Sequence, residues 1–428
     1  MSLTLVDIGS SVSEYTVPRD IVSIANGTSN QYFALKSIQT LRKVSFESPS
    51  SLTYLGHYSF YHCTHLSEVD LSNCSSLENI GSFCFAKCYS LSRVIFPTKS
   101  KLEILGISAF CEVDSVSSYS FPSSLRHING ESMEYGCFSY YQGNELRFNE
   151  GLLSIGSCAC IYAYCKYIYL PSSLTMLHPY AFICTPNLIE IFGGESISYS
   201  IVEKALLSHD ETILYAYPAQ INGTYYVQST VKIISFDCFC FSRLQEIIIP
   251  GLCIEFKGTP FFHMKSLTYL RIPKSVIKMP SEVIDDCPNL KNLTIELENI
   301  LNLNYQSVEV MTLGNETKVI NEYAFTSAVN LRFIIIPPSV TNIGIGAFQG
   351  LKMLQCVRIY GQPIIGNSAF LSTRISCGVD CYSSLIDPLI ASGINRNSFN
   401  YCCVIHAFQN NACFRMLFDI YSFIFLLI

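Results

Sequence analysis

The side chains with the most capacity for chemistry in this chain are clustered histidines and cysteines. His57, His62, Cys63 and His65 lie close together in the sequence, and imidazole and thiolate groups are common zinc ligands. Their spacing matches no zinc signature, and successive side chains of an extended segment point in different directions. We therefore expect ordinary surface and core residues here, with no bound metal.

Two further groups of cysteines are also possible zinc ligands. Cys158, Cys160 and Cys165 form one group, and Cys377 and Cys381 form the other. Neither group has the paired Cys-x-x-Cys spacing of structural zinc. The sequence also lacks phosphate-binding loops, nucleophile elbows and the His-Glu-x-x-His motif. We expect no catalytic residue, no cofactor and no metal, and an enzyme built on these cysteines or histidines is an alternative that rests on composition alone.

The chain contains 20 cysteines, which can indicate a disulfide framework in an exported protein. Cys63 and Cys88, however, each follow a phenylalanine by three positions, namely Phe60 and Phe85. A recurring position of this kind suits a buried thiol that packs as a small hydrophobic group. We expect most thiols to be packed in the core. Disulfides, for instance at Cys402 or Cys403, are the alternative.

A repeated sequence pattern, which would fix the positions of these cysteines and histidines, recurs along the chain. The stretch SLENIGSFCFAKCYSLSRVIFP, residues 76–97, has equivalents that start at residues 51, 101, 317 and 340. Leu41, Leu66, Leu91 and Val116 follow one another at intervals of 25 residues, and later intervals are close to 23. A period of this length is typical of a solenoid. We therefore expect one elongated array of coils in place of several globular domains.

Each repeat predicts one short strand and one bend. In LSRVIFP, Val94 and Phe96 point to one side of the strand, and Arg93 and Ile95 point to the other. Stacked coils then place one apolar residue per repeat in a shared buried row: Val69, Val94, Ile168, Ile191, Ile247, Leu270, Leu293, Ile334 and Val357. The phenylalanine that follows the Ile-Gly pair, such as Phe85 or Phe348, is large enough to fill the centre of a coil.

The repeat period predicts the organisation of the chain. Residues 1–40 are expected to form a cap or partial repeat, 41–205 and 236–381 the repeat array, and 382–428 an atypical tail. The segment 206–235 departs from the period and predicts a hairpin-like insertion, with Asn222-Gly223 as its turn.

Met416 to Ile428 is apolar but shorter than the roughly 20 residues that a membrane helix needs. Any membrane contact is expected through this tail, unless the tail reflects an altered reading frame.

The Ile-Gly-x-x-Ala-Phe and Leu-x-x-Val-x-Ile-Pro elements resemble those of BspA-like leucine-rich repeat surface antigens, which occur on certain bacteria and parasitic protists. The resemblance extends over most of the chain. It implies an α/β solenoid: a right-handed leucine-rich repeat superhelix with a parallel strand ladder, mostly β and loop with short helical turns. It also implies a place on the cell surface and a role in adhesion or host contact.

Composition limits the choice of partner. The chain is 49% hydrophobic and only 14% charged, with a net charge of -6 and scattered lysines and arginines. Nucleic-acid binding, which needs clustered positive charge, is therefore not expected.

The first residues lack the basic and apolar regions of a secretory signal. An intracellular scaffold for protein interactions, located in the cytoplasm, is therefore the alternative to a surface protein. In either case we expect a monomer.

The outward face of the strand ladder is the predicted binding site for a protein or glycan. If the repeat spacing continues along the chain, successive coils place these residues on the outward face: Ile95, Ser120, Arg147, Tyr169, Phe192, Tyr215, Ile248 and Arg271. Tyr167 lies on the same face, two positions before Tyr169. The candidate partner-binding residues are Tyr167, Tyr169, Phe192, Tyr215 and Arg271. Two alternatives are that loops cover these residues, or that the aromatic rings only stiffen the ladder.

Overall fold

The computed structural model describes residues 3–9, 11–27, 35, 37–130, 135–375 and 378–399. Within these ranges strands, turns and loops dominate. The helical residues form one α-helix, Ile386–Ala391, and two short 3-10 helices, Ser383–Leu385 and Arg396–Phe399. The chain divides into two compact units. The first unit contains residues 1–222, 230–243 and 256–264, and the second contains 223–229, 244–255 and the chain from 265 onward.

The first unit contains three parallel ladders of short strands. The longest has the order Leu3–Leu5, Ile21–Ile24, Tyr54–Leu55, Asn79–Ile80, Ile104–Leu105, His127–Ile128, Ser154–Ile155 and Met176–Leu177. The second consists of Glu14–Val17, Lys43–Phe46, Glu68–Asp70 and Arg93–Ile95. The third consists of Glu145–Arg147, Tyr167–Leu170 and Glu190–Gly193. Strand order follows chain order in each ladder, as expected for stacked coils.

An antiparallel segment interrupts this pattern. Ser200–Val202 pairs with Ala205–Leu207, which pairs in turn with Ile213–Ala216. The first connection is a two-residue turn in which Glu203 and Lys204 have positive φ angles of 48° and 73°, the geometry typical of tight hairpins. Ile213–Ala216 then pairs in parallel with Ile233–Ile234, which returns the chain to the solenoid pattern. Two further short strands are Glu255–Phe256 and Phe261–Phe262.

The predicted turn at Asn222-Gly223 is wrong. These residues begin a strand, Asn222–Tyr226, and the chain turns earlier, at Ala219 and Gln220. An Asn-Gly pair favours a turn only locally, and pairing of the strand into a ladder outweighs that preference here.

The second unit contains the other long ladder. After Asn222–Tyr226, its order is Arg243–Ile248, Tyr269–Ile272, Asn292–Ile295, Val310–Leu313, Phe333–Ile336, Cys356–Ile359 and Gly378–Asp380. From Arg243–Ile248 onward these strands are parallel. A second ladder consists of Asn299–Ile300, Val319–Ile320, Asn342–Ile343 and Ile364–Ile365. Ile284–Asp285 is a further short strand.

The predicted apolar residues pair in register, but within three separate ladders and not in one continuous row. In the first unit Val69 pairs in register with Val94, and Ile168 with Ile191. In the second unit the row is Ile247, Leu270, Leu293, Met311, Ile334 and Val357. These side chains are buried, except that Val94 is half-buried. Together with the parallel register, the rows confirm the predicted solenoid.

Phenylalanine rings form a second row at the centre of the coils. Phe60, Phe85, Phe110 and Phe138 are fully buried, and successive ring centroids lie 5.2, 5.4 and 6.1 Å apart. In the second unit Phe325, Phe348 and Phe370 stack at 4.9 and 4.7 Å. These distances are typical of stacked aromatic pairs. The prediction that Phe85, Phe348 and Phe370 fill the centres of their coils is confirmed.

The glycine of the Ile-Gly pair permits close approach between coils. A Cβ atom on Gly81 would lie 2.6 Å from the backbone nitrogen of His57 in the preceding coil. The backbone nitrogen of Ser82 also donates a hydrogen bond of 2.8 Å to Nδ1 of His57. Adjacent coils therefore contact each other through their backbones at this point.

Candidate functional site

The third ladder of the first unit presents two parallel rows of outward side chains. Their register gives one row of Glu145, Tyr167 and Glu190, and a second row of Arg147, Tyr169 and Phe192. The intervening side chains, Leu146, Ile168 and Ile191, are buried. Because side chains alternate along a strand, both outward rows lie on the same face of the ladder. We call these six residues the ladder patch.

Three aromatic rings form the centre of the ladder patch. The rings of Tyr169 and Phe192 are stacked, with centroids 4.7 Å apart and planes 13° apart. The ring of Tyr167 is tilted against that of Phe192 at a distance of 6.2 Å. Phe192 is 37% exposed, and both tyrosines are half-buried. The sequence prediction that Tyr167, Tyr169 and Phe192 share one face is confirmed.

Arg147 adds a cation to one side of the aromatic rings. Its Cζ atom lies 3.5 Å from the centroid of the Tyr169 ring, within the range of a cation–π interaction. Its Nη2 atom lies 3.3 Å from Oε2 of Glu145. The ladder patch therefore presents a guanidinium beside Tyr169, whereas two carboxylates flank Tyr167 along its row.

Glu145 and Glu190 were not identified from the sequence. Each stands two positions before an outward residue of the second row, Arg147 and Phe192 respectively. The same spacing placed Tyr167 two positions before Tyr169. The two-residue spacing therefore places both glutamates in this row, although their residue type alone does not distinguish them from other surface carboxylates.

The placement of Tyr215 on this face is wrong. Tyr215 lies in Ile213–Ala216, which pairs with antiparallel Ala205–Leu207 on one side and with Ile233–Ile234 on the other. Its side chain is only 8% exposed, and burial raises the pKa of its phenol. The inserted strands begin a new sheet, in which their own pairing decides which side chains point outward. The repeat spacing therefore does not predict the orientation of side chains in these strands.

The other residues of the predicted column belong to separate ladders. Arg271 lies in the second unit and forms an ion pair with Glu296, with Nη2 and Oε1 2.7 Å apart. Ile248 is half-buried in that same ladder. Ile95 pairs with Asp70 in the second ladder of the first unit, and Ser120 lies outside any strand. The ladder patch is thus smaller than the predicted column.

The clustered histidines and Cys63 have separate environments. His57 accepts a hydrogen bond from Ser82, and the Cys63 thiol donates one of 2.9 Å to the carbonyl of Leu35. Burial raises the pKa of Cys63 to about 12, so this thiol is protonated near neutral pH. In the described part of the chain, no group of three or more histidine, cysteine or acidic side chains has an arrangement suited to a metal ion.

The structure describes some residues of the other sequence predictions and leaves others outside its described ranges. Cys63, Cys84, Cys88, Cys137, Cys160 and Cys165 are buried free thiols, as expected for core packing. Cys377, Cys402, Cys403 and the apolar segment Met416 to Ile428 lie outside the described residues. The residues that are described include no helix long and apolar enough to span a membrane.

Comparison with known proteins identifies the family. The family model for a BspA type leucine-rich repeat region matches residues 28–139, 130–207, 224–308 and 297–411. The chain belongs to the BspA-type leucine-rich repeat family. No curated protein sequence matches this BspA-type protein.

Two solved structures have a similar fold. A leucine-rich repeat protein from Bacteroides ovatus has a TM-score of 0.60 and 19% identity, over 93% of this chain and 91% of that chain. One from Eubacterium ventriosum has a TM-score of 0.54 and 20% identity, over 78% of this chain and 84% of that chain. At these identities the similarity establishes the fold of this BspA-type protein and not its partner.

Proposed function

We propose that this protein is a non-catalytic binding protein of the cell surface, which mediates adhesion or host contact through the ladder patch. Membership in the BspA-type family supports a surface role of this kind. The observation that carries the proposal is the exposed contact of Tyr169 and Phe192, extended by Tyr167, on a ladder of paired strands. Exposed aromatic clusters on stable scaffolds are common features of binding surfaces.

The ladder patch is ordered before any partner arrives. Stacking restrains Phe192 against Tyr169, and the Arg147 guanidinium restrains Tyr169 from the other side. Side chains that are already fixed lose less conformational entropy on binding. Aromatic residues and arginine also contribute most strongly to the energy of many protein interfaces.

The charges of the patch favour particular ligand groups. Tyr167 stands between Glu145 and Glu190 in its row, which favours a lysine or arginine side chain of a protein partner, or the hydroxyl groups of a glycan. Arg147 beside Tyr169 favours a nearby carboxylate. The partner is therefore a protein or a glycan that places cationic or hydroxyl groups near Tyr167 and an anionic group near Arg147.

A binding experiment with a matched control tests the proposal. The purified chain, labelled with biotin, is incubated with cultured epithelial cells before and after treatment of those cells with protease or glycosidase. The triple variant Tyr167→Ala, Tyr169→Ala and Phe192→Ala is expected to lose binding. The control removes three exposed tyrosines of the second unit, Tyr226, Tyr323 and Tyr360, and should bind normally. Equal binding by both triple variants would contradict the role of the ladder patch.

An intracellular scaffold of the same fold is the second candidate. The observation that favours it is the set of buried free thiols, such as Cys88 and Cys160, because reducing compartments preserve thiols. Labelling of intact cells with a membrane-impermeant reagent distinguishes the two candidates. A labelled chain supports the surface protein, and a chain that is labelled only after lysis supports the scaffold.

A further inference from the structure

Two thiols of the first unit meet on either side of the inserted strands. The Sγ atoms of Cys184 and Cys240 lie 2.7 Å apart, although the residues are 56 positions apart in the chain. A disulfide bond measures about 2.05 Å, so the two sulfur atoms need to move by less than one ångström. Both side chains are buried, with exposures of 2% and 4%.

The fold explains why these two residues are neighbours. Cys184 ends the repeat turn that contains Tyr180, and Cys240 lies in the turn that contains Phe236, the first after the insertion. The rings of Tyr180 and Phe236 lie 5.7 Å apart. The inserted strands therefore separate these turns in sequence but not in space.

We propose that Cys184 and Cys240 form a disulfide bond that joins the two turns across the insertion. The oxidant is a low-molecular-weight disulfide such as oxidised glutathione. The Cys184 thiolate attacks the oxidant, which gives a mixed disulfide and releases one thiol. Cys240 then attacks the Cys184 sulfur, the protein disulfide forms, and the second thiol leaves. The two protein thiols are oxidised, and their two protons end on the two released thiols.

A carboxylate lies beside the Cys184 thiol in the folded chain. Oδ2 of Asp237 is 3.7 Å from the Cys184 sulfur, and its Oδ1 is buried without a hydrogen-bond partner. Because both thiols are buried in the folded chain, we place the reaction before the turns close, during folding in an oxidising environment.

The bond would close a long loop that contains the whole insertion. Cross-links across long loops restrict the unfolded chain most strongly. We therefore expect the oxidised protein to melt several degrees above the reduced protein. Such a bond depends on the positions of two sulfur atoms and is independent of any partner of the ladder patch.

Peptide mapping tests the proposal. The full chain is refolded in a mixture of oxidised and reduced glutathione, remaining thiols are blocked with an alkylating reagent, and the protein is digested with trypsin without reduction. Cys184 lies in the tryptic peptide 167–204, and Cys240 lies in 233–243 together with Cys238. The expected product is these two peptides linked, lighter by two hydrogens and separated by reduction.

Single variants assign the bond to its two residues. The linked peptide and the difference in melting temperature should disappear in Cys184→Ser and Cys240→Ser, and both should persist in Cys238→Ser and Cys158→Ser. Absence of the linked peptide from the refolded parent overturns the proposal, as does a link made through Cys238 or Cys158. Where a variant fails to fold, the map of the parent, analysed by fragmentation between Cys238 and Cys240, decides the assignment.

Discussion

The guanidinium of Arg147 lies over the ring of Tyr169, with Cζ 3.5 Å from the ring centroid. On its other side, Tyr169 stacks on Phe192 at 4.7 Å. One tyrosine is thus held between a cation and a second aromatic ring, and each of the three residues comes from a different coil. The order of this surface depends on neighbouring repeats staying in register.

Removal of the cation should weaken binding without unfolding the chain. We expect Arg147→Ala to reduce the affinity for epithelial cells about two- to fivefold, because loss of a contact of about 0.5–1 kcal/mol leaves Tyr169 less restrained before binding. Arg147→Lys should fall between the parent and Arg147→Ala, since lysine keeps the charge but not the planar group. Arg93→Ala, which removes an exposed cation from the neighbouring ladder, serves as the control. An equal loss in Arg93→Ala would indicate a general effect of charge.

Truncation of a central ring should destabilise the coils around it. Phe85→Ala and Phe348→Ala are each expected to lower the free energy of unfolding by about 3–5 kcal/mol, because each leaves a cavity in a fully buried stack. Urea denaturation followed by circular dichroism measures the change. Tyr360→Ala removes an exposed ring and should change the free energy by about 0.5 kcal/mol or less. Similar losses in all three variants would count against the central role of the phenylalanine stacks.

A methyl group at the contact between two coils should also destabilise the protein. In Gly81→Ala the new Cβ atom would lie 2.6 Å from the backbone nitrogen of His57, so the coils must separate or shift. We expect a loss of about 1–3 kcal/mol in the free energy of unfolding. Gly194→Ala is the matched control, because its nearest neighbour is the Ser172 Cβ atom at an ordinary 3.6 Å. Thermal melts of both variants provide the comparison, and a stable Gly81→Ala would contradict the tight backbone packing.

Asp237 should make the reduced protein less stable as pH rises. Burial raises the pKa of Asp237 to about 7 from a usual value of 3.8. Between these two values the unfolded chain releases this proton and the folded chain keeps it, so the contribution to stability falls as pH increases and is lost above about 7. We expect Asp237→Asn to gain stability over the parent by about 2–4 kcal/mol at pH 8, and by much less at pH 4. Urea denaturation of the reduced proteins at the two pH values measures this difference.

The periodic parts of the structure could be predicted from the sequence because a fixed spacing places equivalent residues in one row. Phe85 and Phe348 are examples, as are Tyr169 and Phe192. The frame lost accuracy where the spacing changed. Leu293 pairs in register with Met311, but the coil between them is shorter than the usual interval, so the period does not predict Met311.

The insertion shows a different limit of sequence reasoning. Tyr215 has the residue type expected of the binding face, but antiparallel pairing with Ala205–Leu207 places it in a different sheet. Strand direction and register in this segment depend on the tight turn at Glu203 and Lys204, which has no glycine or asparagine to signal it. The contact between Cys184 and Cys240 follows from the same insertion and has no local signal in the sequence.

The phenylalanine stacks bear on how this protein tolerates change over evolutionary time. Within a stack, rings contact the rings of adjacent coils, as Phe85 contacts Phe60 and Phe110, and stability in such arrays is close to a sum of nearest-neighbour terms. Duplication or deletion of a whole coil replaces one ring-to-ring contact with another of the same kind. A stack of this kind can therefore gain or lose whole coils without a redesigned interior, whereas a partial coil would break the row at both of its ends.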